Sequence, residues 1–256
     1  MDTHDVRIEL AVLDVDGTTV REDDAVNDCV RKALAAVGVN VAREEVAQLG
    51  GVAKPVAIRK LIARHAGAER ATDDRVSEVH ADFLHRVTEH YRRGARIEPM
   101  PHAEETLVRL KRAGVRVALD CAFGRIVLDA ILDRLAWKNT PLIDATVAAD
   151  EVGRGRPYAD MVLRAMALTG TRRSEAVAKV GDTPADLEEG AAAGCGLVIG
   201  VMNGTHTAQQ LRHAPHTHLI SHLGVLPRLV IGHGGMVTAM GSANGWRLTA
   251  NGSAPS

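Results

Sequence analysis

Aromatic side chains are scarce in this chain: its 256 residues include two each of Trp, Tyr and Phe. So little stacking surface argues against a platform for nucleic-acid bases. An excess of charge is also missing, because 31 Lys and Arg face 32 Asp and Glu, for a formal charge of -1. Non-specific nucleic-acid binding needs a broad basic field, so nucleic acid is not an expected partner. The cysteines, Cys29, Cys121 and Cys195, are odd in number and form no CxxC pair, which argues against a disulfide framework or a structural zinc site. No apolar run approaches the roughly 18 residues of a membrane-spanning helix. The polar, acidic start at Met1 to Asp5 does not read as a signal peptide. These absences predict a cytoplasmic protein that does not enter a membrane.

Short segments rich in Val, Leu and Ile alternate with amphipathic stretches of helical period, the pattern of a parallel α/β sheet. The expected strands are Ile8 to Leu13, Val115 to Leu119, Thr146 to Ala149, Ala176 to Val180, Leu197 to Val201 and a weaker one at His218 to Ile220. Helices are expected at His102 to Ala113 and Tyr158 to Thr169, ended by Gly114 and Gly170. Lys179 interrupts an otherwise apolar strand and reads as an outward-facing edge position.

The alternation breaks between about Arg21 and Arg96, where helical periodicity predicts Ala25 to Val37, Arg43 to Leu49, Lys54 to Ala66 and Thr72 to Arg93, with Thr72 as N-cap. A helical insert after the first strand suggests a cap over the carboxyl ends of the strands, where open sheets bind ligands. The expected division is therefore a Rossmann-like core of residues 1–20 and 97–230, an inserted helical cap of residues 21–96, and a flexible tail of residues 231–256. The tail has six glycines and one charged residue, Arg247. Asn203 and Asn251 begin glycosylation-like triplets that read as ordinary turns.

Chemistry concentrates at strand ends. Directly after the first strand comes DVDGTT, Asp14 to Thr19. Carboxylates at i and i+2 project in similar directions, and Gly17 permits a sharp turn. One carboxylate could attack while the other handles protons, although a solvated Asp-Gly turn has the same sequence. After the fourth strand comes GDTPAD, Gly181 to Asp186, which places Asp182 at the strand end and Asp186 one helical turn on. Carboxylates gathered from separate strand ends suit magnesium, a hard cation that takes oxygen ligands. Gly155-Arg156-Pro157 can set a fixed positive charge against a phosphate.

These segments, with ALDCAFGR at Ala118 to Arg125 between them, resemble in order and spacing the four motifs of the haloacid dehalogenase superfamily, specifically its phosphonatase-like hydrolases. The resemblance covers Arg7 to about Leu229. It implies Asp14 as a nucleophile forming an aspartyl-phosphate and Asp16 as the acid and base. It further implies magnesium on the Asp14 side chain, the Asp16 carbonyl and Asp182, with Asp186 behind. Thr18, Lys54, Cys121 and Arg156 are the implied contacts to phosphate or substrate.

The cap segment Gly51 to Ile58 resembles the GxxKxxAI stretch of phosphonatase-like proteins, with Lys54 at the position whose lysine forms a Schiff base in phosphonoacetaldehyde hydrolases. Those enzymes carry Ala where this chain has Asp16, and an acid there has a direct use in P–O cleavage. Cys121 stands where the family has Ser or Thr, and a thiol is the weaker donor. The leading expectation is a magnesium-dependent hydrolase of a small phosphorylated metabolite. Its rivals are C–P cleavage through Lys54 and a non-catalytic binder of phosphorylated ligand. A homodimer is left open. His213, His216, His218 and His222 fall outside the motifs and read as structural.

Overall fold

The computed structural model describes residues 6–21, 24–49, 52–93 and 97–232. Six parallel strands form one sheet in the order β3-β2-β1-β4-β5-β6. They are β1 (Leu10–Asp14), β2 (Arg116–Cys121), β3 (Ala145–Ala148), β4 (Val177–Gly181), β5 (Leu197–Val201) and β6 (His218–Ile220). The chain steps outward from β1 to β3, then returns to β4 on the other side of β1. The sheet's topological switch therefore lies between β1 and β4, where ligands bind in open α/β sheets. Continuous burial of β1, β4 and β5 explains their apolar runs, which Lys179 alone breaks within β4.

Helices α1 (Ala25–Ala36), α2 (Arg43–Ala47), α3 (Lys54–Ala66) and α4 (Asp73–Arg93) follow β1 as an insertion. The chain leaves and returns at one neck: Arg21 N–H donates to the Glu98 carbonyl at 2.9 Å and Met100 N–H to that of Thr19 at 2.9 Å. Thr72 caps α4 through its hydroxyl, which accepts from Arg75 N–H at 3.3 Å. The buried stripe Ala57, Ile58, Leu61 and Ile62 on α3 has helical spacing and packs against α4.

The remaining helices are α5 (Ala103–Arg112), α6 (Arg125–Arg134), α7 (Asp160–Thr169), α8 (Pro184–Ala192), α9 (Ala208–Arg212) and α10 (Leu226–Gly232). Gly114 and Gly170 follow α5 and α7 with φ of 78° and 71°, the left-handed conformation expected of them. One apolar cluster runs from Leu34, Ile58 and Phe83 of the insertion to Phe123, Leu128 and Ile131 of the core. A second, containing Leu10, Val12, Met161 and Val162, fills the opposite face under α7. Helix α10 takes in Ile231 and Gly232, two residues read above as tail, because Leu226, Pro227 and Val230 are buried against the core. Residues 233–256, with the Asn251 triplet, and Gly51 lie outside the described residues.

Candidate active site

β1 ends on Asp14, whose side chain is almost wholly buried. Beyond it the chain doubles back: Thr19 and Val20 both donate to the Val15 carbonyl, at 3.0 and 2.8 Å, and Gly17 donates to that of Val20 at 2.9 Å. Gly17 has φ 87°, and a Cβ there would come within 2.5 Å of Asp182 Oδ2. The glycine thus serves the turn and the approach of a second carboxylate. Asp16, part-buried, lines the same cavity as Asp14.

Asp182 follows β4 and is fully buried. Thr18 Oγ1 donates to its Oδ1 at 3.0 Å, while Thr205 donates to its Oδ2 through N–H and hydroxyl, both at 2.6 Å. Thr18, expected at the phosphate, is fully buried with its hydroxyl on Asp182. Asp186 sits in the first turn of α8 in a capping box with Thr183, whose hydroxyl donates to its Oδ2 at 2.6 Å. Asp14, Asp182 and Asp186 each bring a carboxylate oxygen within 4.8 Å of the others.

Arg156 ties this group to a deeper one. Its Nη1 donates to Asp14 Oδ1 at 2.6 Å, its Nη2 to Asp120 Oδ1 at 2.6 Å and its Nε to Glu189 Oε2 at 3.0 Å. Nη1 also lies 3.1 Å from Asp186 Oδ1. Below it, Lys179 Nζ donates to Asp120 Oδ1 at 2.7 Å and lies 2.9 Å from Glu189 Oε2 and 3.1 Å from Asp186 Oδ1. Lys179 is therefore not an edge residue. It is 0% exposed, in the middle strand region beside β1.

Strand parity explains the placement. Asp14 pairs in register with Asp120, and Val12 with Lys179, so all four side chains share one face. On that face apolar residues occupy the lower positions and charged ones the top, beneath α7 and α8. Asp120, Lys179 and Glu189 were not identified as site residues in the sequence. The available signal was the even spacing of Lys179 to its strand's end, matching that of Val12.

Burial shapes the charges unequally. It raises the Asp14 carboxyl well above the ordinary range, and Asp186 and Asp182 add to the rise while Arg156 opposes it. Asp182 is raised by burial and by Asp186, against the hydrogen bonds from Thr205. For Asp120, burial is outweighed by Arg156 and Lys179, which hold its pKa at about 2. Glu189 is pushed by burial up to about 8. The upper carboxylates are thus short of positive charge, whereas Asp120 is well supplied.

A cavity of about 190 Å³ opens above Asp14, lined on its inner wall by Asp16, Cys121, Arg156, Thr183 and Thr205. Lys54, at the first turn of α3, reaches this cavity and is itself buried, its Nζ 5.2 Å from the centre of the Phe123 ring. Burial lowers the Lys54 pKa, opposed chiefly by Asp16. Cys121 ends β2 on the cavity wall, and burial raises its thiol pKa, so it stands there as a neutral thiol. The four histidines bond locally: His213 Nδ1 lies 2.7 Å from the Gln209 carbonyl and His216 Nδ1 2.9 Å from that of Ala214. His218 Nδ1 lies 3.0 Å from Thr217 Oγ1, and His222 Nδ1 accepts from Gly224 N–H at 3.2 Å. Among the described residues they join no group able to hold a metal.

A parallel Rossmann-like sheet with carboxylates at the ends of adjacent strands, a buried arginine against one of them and a helical insertion after the first strand defines a class of α/β hydrolase. Residues 11–200 match the haloacid dehalogenase-like hydrolase family. The chain belongs to that family and is a hydrolase of it. It is 30% identical over 206 residues to a phosphonoacetaldehyde hydrolase of Pseudomonas putida, covering 77% of this chain and 74% of that one. It is 32% identical over 127 residues to a bifunctional phosphonoacetaldehyde hydrolase/aminoethylphosphonate transaminase of Clostridioides difficile, a stretch that spans only 19% of that protein. Its fold is shared with a phosphonoacetaldehyde hydrolase-like protein from Oleispira antarctica (TM-score 0.75, 20% identity, 88% of this chain and 92% of that one). It is also shared with CbbY from Rhodobacter sphaeroides, solved in complex with phosphate (TM-score 0.71, 21% identity, 86% and 96%). No helix among the described residues is long and apolar enough to cross a membrane.

Proposed function

We propose that this hydrolase removes the phosphoryl group from a small phosphorylated metabolite, through an aspartyl-phosphate and with the help of magnesium. The observation that carries this reading is a buried aspartate at the end of β1, 2.6 Å from a buried guanidinium, facing a cavity that also contains Asp16. Asp14 attacks phosphorus, and the bond from phosphorus to the ester oxygen breaks. Asp16 gives its proton to the departing oxygen, then takes one from the water that hydrolyses the aspartyl-phosphate, releasing phosphate and restoring Asp14. Arg156, fixed by its carboxylates before substrate arrives, sets a positive charge beside the attacking carboxylate and so favours the approach of an anionic phosphoryl group. Helices α1 to α4 act as a cap that excludes water from the site.

The residues fit a divalent cation. Five fully or nearly buried carboxylates, Asp14, Asp120, Asp182, Asp186 and Glu189, face three buried bases, Lys54, Arg156 and Lys179. Asp186 Oδ1 is buried and accepts no well-aligned hydrogen bond, although Arg156 Nη1 and Lys179 Nζ each lie 3.1 Å from it as ion-pair partners. Asp14, the Asp16 carbonyl and Asp182 would hold the ion, with Asp186 behind them, an all-oxygen set suited to magnesium. When bound, the ion supplies neutralising charge to the carboxylates and the phosphoryl group.

Cleavage of a C–P bond is the second reading, favoured by one observation: the Lys54 amine is buried in the same cavity and its charge is disfavoured there. Imine formation needs a neutral amine. Asp16 supports the ester reading, because an imine would take over the work of a leaving-group acid. Phosphate release is to be measured with p-nitrophenyl phosphate, short alkyl phosphates and phosphonoacetaldehyde, with magnesium or EDTA. Magnesium-dependent release from the esters is expected. Release from phosphonoacetaldehyde alone, with a borohydride-trapped adduct on Lys54 by mass spectrometry, establishes the second reading, and binding without any release makes the chain a phospho-ligand binder.

A further inference from the structure

The cavity has a second end whose chemistry differs from the phosphoryl end. Helices α1 and α2 bring Asn27, Val26, Arg43 and Ala47 to its outer wall, together with Asp24 just ahead of α1. Asp24 adopts φ 65°, a left-handed conformation that aspartate tolerates better than most residues. Its Oδ1 accepts from Asn27 Nδ2 at 3.0 Å, and its Oδ2 lies 2.7 Å from Arg43 Nε. Three polar side chains, from α1, the residue ahead of it and α2, thus hold one another on the wall of the cavity that contains Asp14.

We infer that Asp24, Asn27 and Arg43 form a specificity site that reads a hydroxyl group on the carbon tail of the phosphorylated substrate, an inference that rests on the phosphatase reading above. Asp24 and Arg43 cancel in charge, so the trio suits a neutral polar group rather than a second ion. Their mutual bonds use Arg43 Nε and Asn27 Nδ2, and among the described residues no bond takes up the two terminal guanidinium nitrogens as donors or the Asn27 carbonyl oxygen as an acceptor. A hydroxyl both accepts and donates, so it satisfies both kinds of partner. A carboxylate tail would meet Arg43 but also the Asp24 carboxylate, and an aldehyde can only accept. Val26 and Ala47 offer apolar contact to a short carbon chain, and among the described residues Phe123 is the one aromatic side chain lining the cavity, which leaves no sandwich for a nucleobase. The class of substrate is a short phosphorylated polyol.

Arg43 is 61% exposed in its side chain, so truncating it does not threaten the core. Steady-state kinetics with glycerol 3-phosphate, ethyl phosphate and phosphoglycolate test the site. In the unaltered protein kcat/KM for glycerol 3-phosphate is expected to exceed that for ethyl phosphate by about tenfold or more, because a site built to hydrogen-bond a hydroxyl rejects the analogue lacking it. In Arg43→Ala and in Asn27→Ala that ratio is expected to fall toward one, with the change in KM. Equal losses on both esters, no preference in the unaltered protein, or an Arg43-dependent preference for phosphoglycolate each overturn the inference. Calorimetric titration of the same three compounds in EDTA and in magnesium reads tail preference by binding. An absence of turnover, which defeats the phosphatase reading, is thereby told apart from an absence of tail selectivity.

Discussion

Two groups of three carboxylates lie side by side under the cavity, Asp14 with Asp182 and Asp186, and Asp120 with Asp186 and Glu189. Both are buried and both have the oxygens a cation would take. They differ in what neutralises them. Lys179 reaches Asp120, Asp186 and Glu189 from below, and together with Arg156 it holds the Asp120 pKa at about 2. The upper group receives hydroxyl and amide donors from Thr18 and Thr205, with Arg156 at Asp14, and its carboxyls at Asp14 and Asp182 stay raised. The lower group has its counter-ion built into β4, with its Glu189 carboxyl raised by burial despite it, and belongs to the architecture. The upper group has Arg156 at Asp14 and Asp186 and no lysine at Asp14 or Asp182 among the described ion pairs, which suits it to the cation proposed above.

The largest expected effect separates the groups by function. Asp14→Asn is expected to lower phosphate release at least about 1000-fold while the far-ultraviolet circular dichroism stays unchanged. The reverse is expected of Lys179→Met, which leaves buried carboxylates with too little positive charge. It should cost about 3–5 kcal/mol in urea denaturation, and the double variant with Asp120→Asn should recover part of that loss. If Lys179→Met retains full stability, the lower group is not the structural one.

Magnesium sharpens the contrast further. At 100 times its dissociation constant it is expected to stabilise the protein by about 2.7 kcal/mol, and Asp182→Asn should abolish the stabilisation in thermal denaturation. Glu189 gives the lower group a signature in pH. Its carboxyl, raised from 4.5 to about 8, holds a proton in the folded chain that the unfolded chain has released. The stability it contributes is complete below about pH 4.5 and is lost as pH rises toward 8. Denaturation free energy should therefore fall across that window by up to about 1.4 kcal/mol per pH unit relative to Glu189→Gln. The smallest effect is expected at Cys121: Cys121→Thr puts a hydroxyl donor beside the phosphoryl position and should raise kcat by up to about tenfold.

The upper group was legible in the sequence and the lower was not, for a physical reason. Asp14 and Asp182 each stand at the carboxyl end of a mostly apolar strand, where a carboxylate followed by a turn motif stands out. Lys179 interrupts its strand, and a charge within a strand ordinarily signals an edge or a solvent face. What buries it is partners contributed by β2 and α8, more than 50 residues away for Asp120, and no local pattern announces those. The strands themselves were located to within two residues at each end. Helix α6 begins at Arg125, the last residue of the motif that contains Cys121, so no turn or linker residue separates motif from helix. Residues Asp24, Asn27 and Arg43 became visible as a unit only when α1 and α2 were set against the same cavity.

Asp186 is a member of both carboxylate groups, and this sharing has a consequence for inheritance. A lineage in which Lys179 drifts to a neutral residue alters the charge around Asp186, and through it the field at Asp14, before any residue of the cavity has changed. Lys179, Asp120 and Glu189 carry one another's charge, so a substitution at any one of them leaves the others unbalanced. Transplanting the first and fourth motifs into a related scaffold without that set would carry over the ligands and leave behind the charge balance in which they operate.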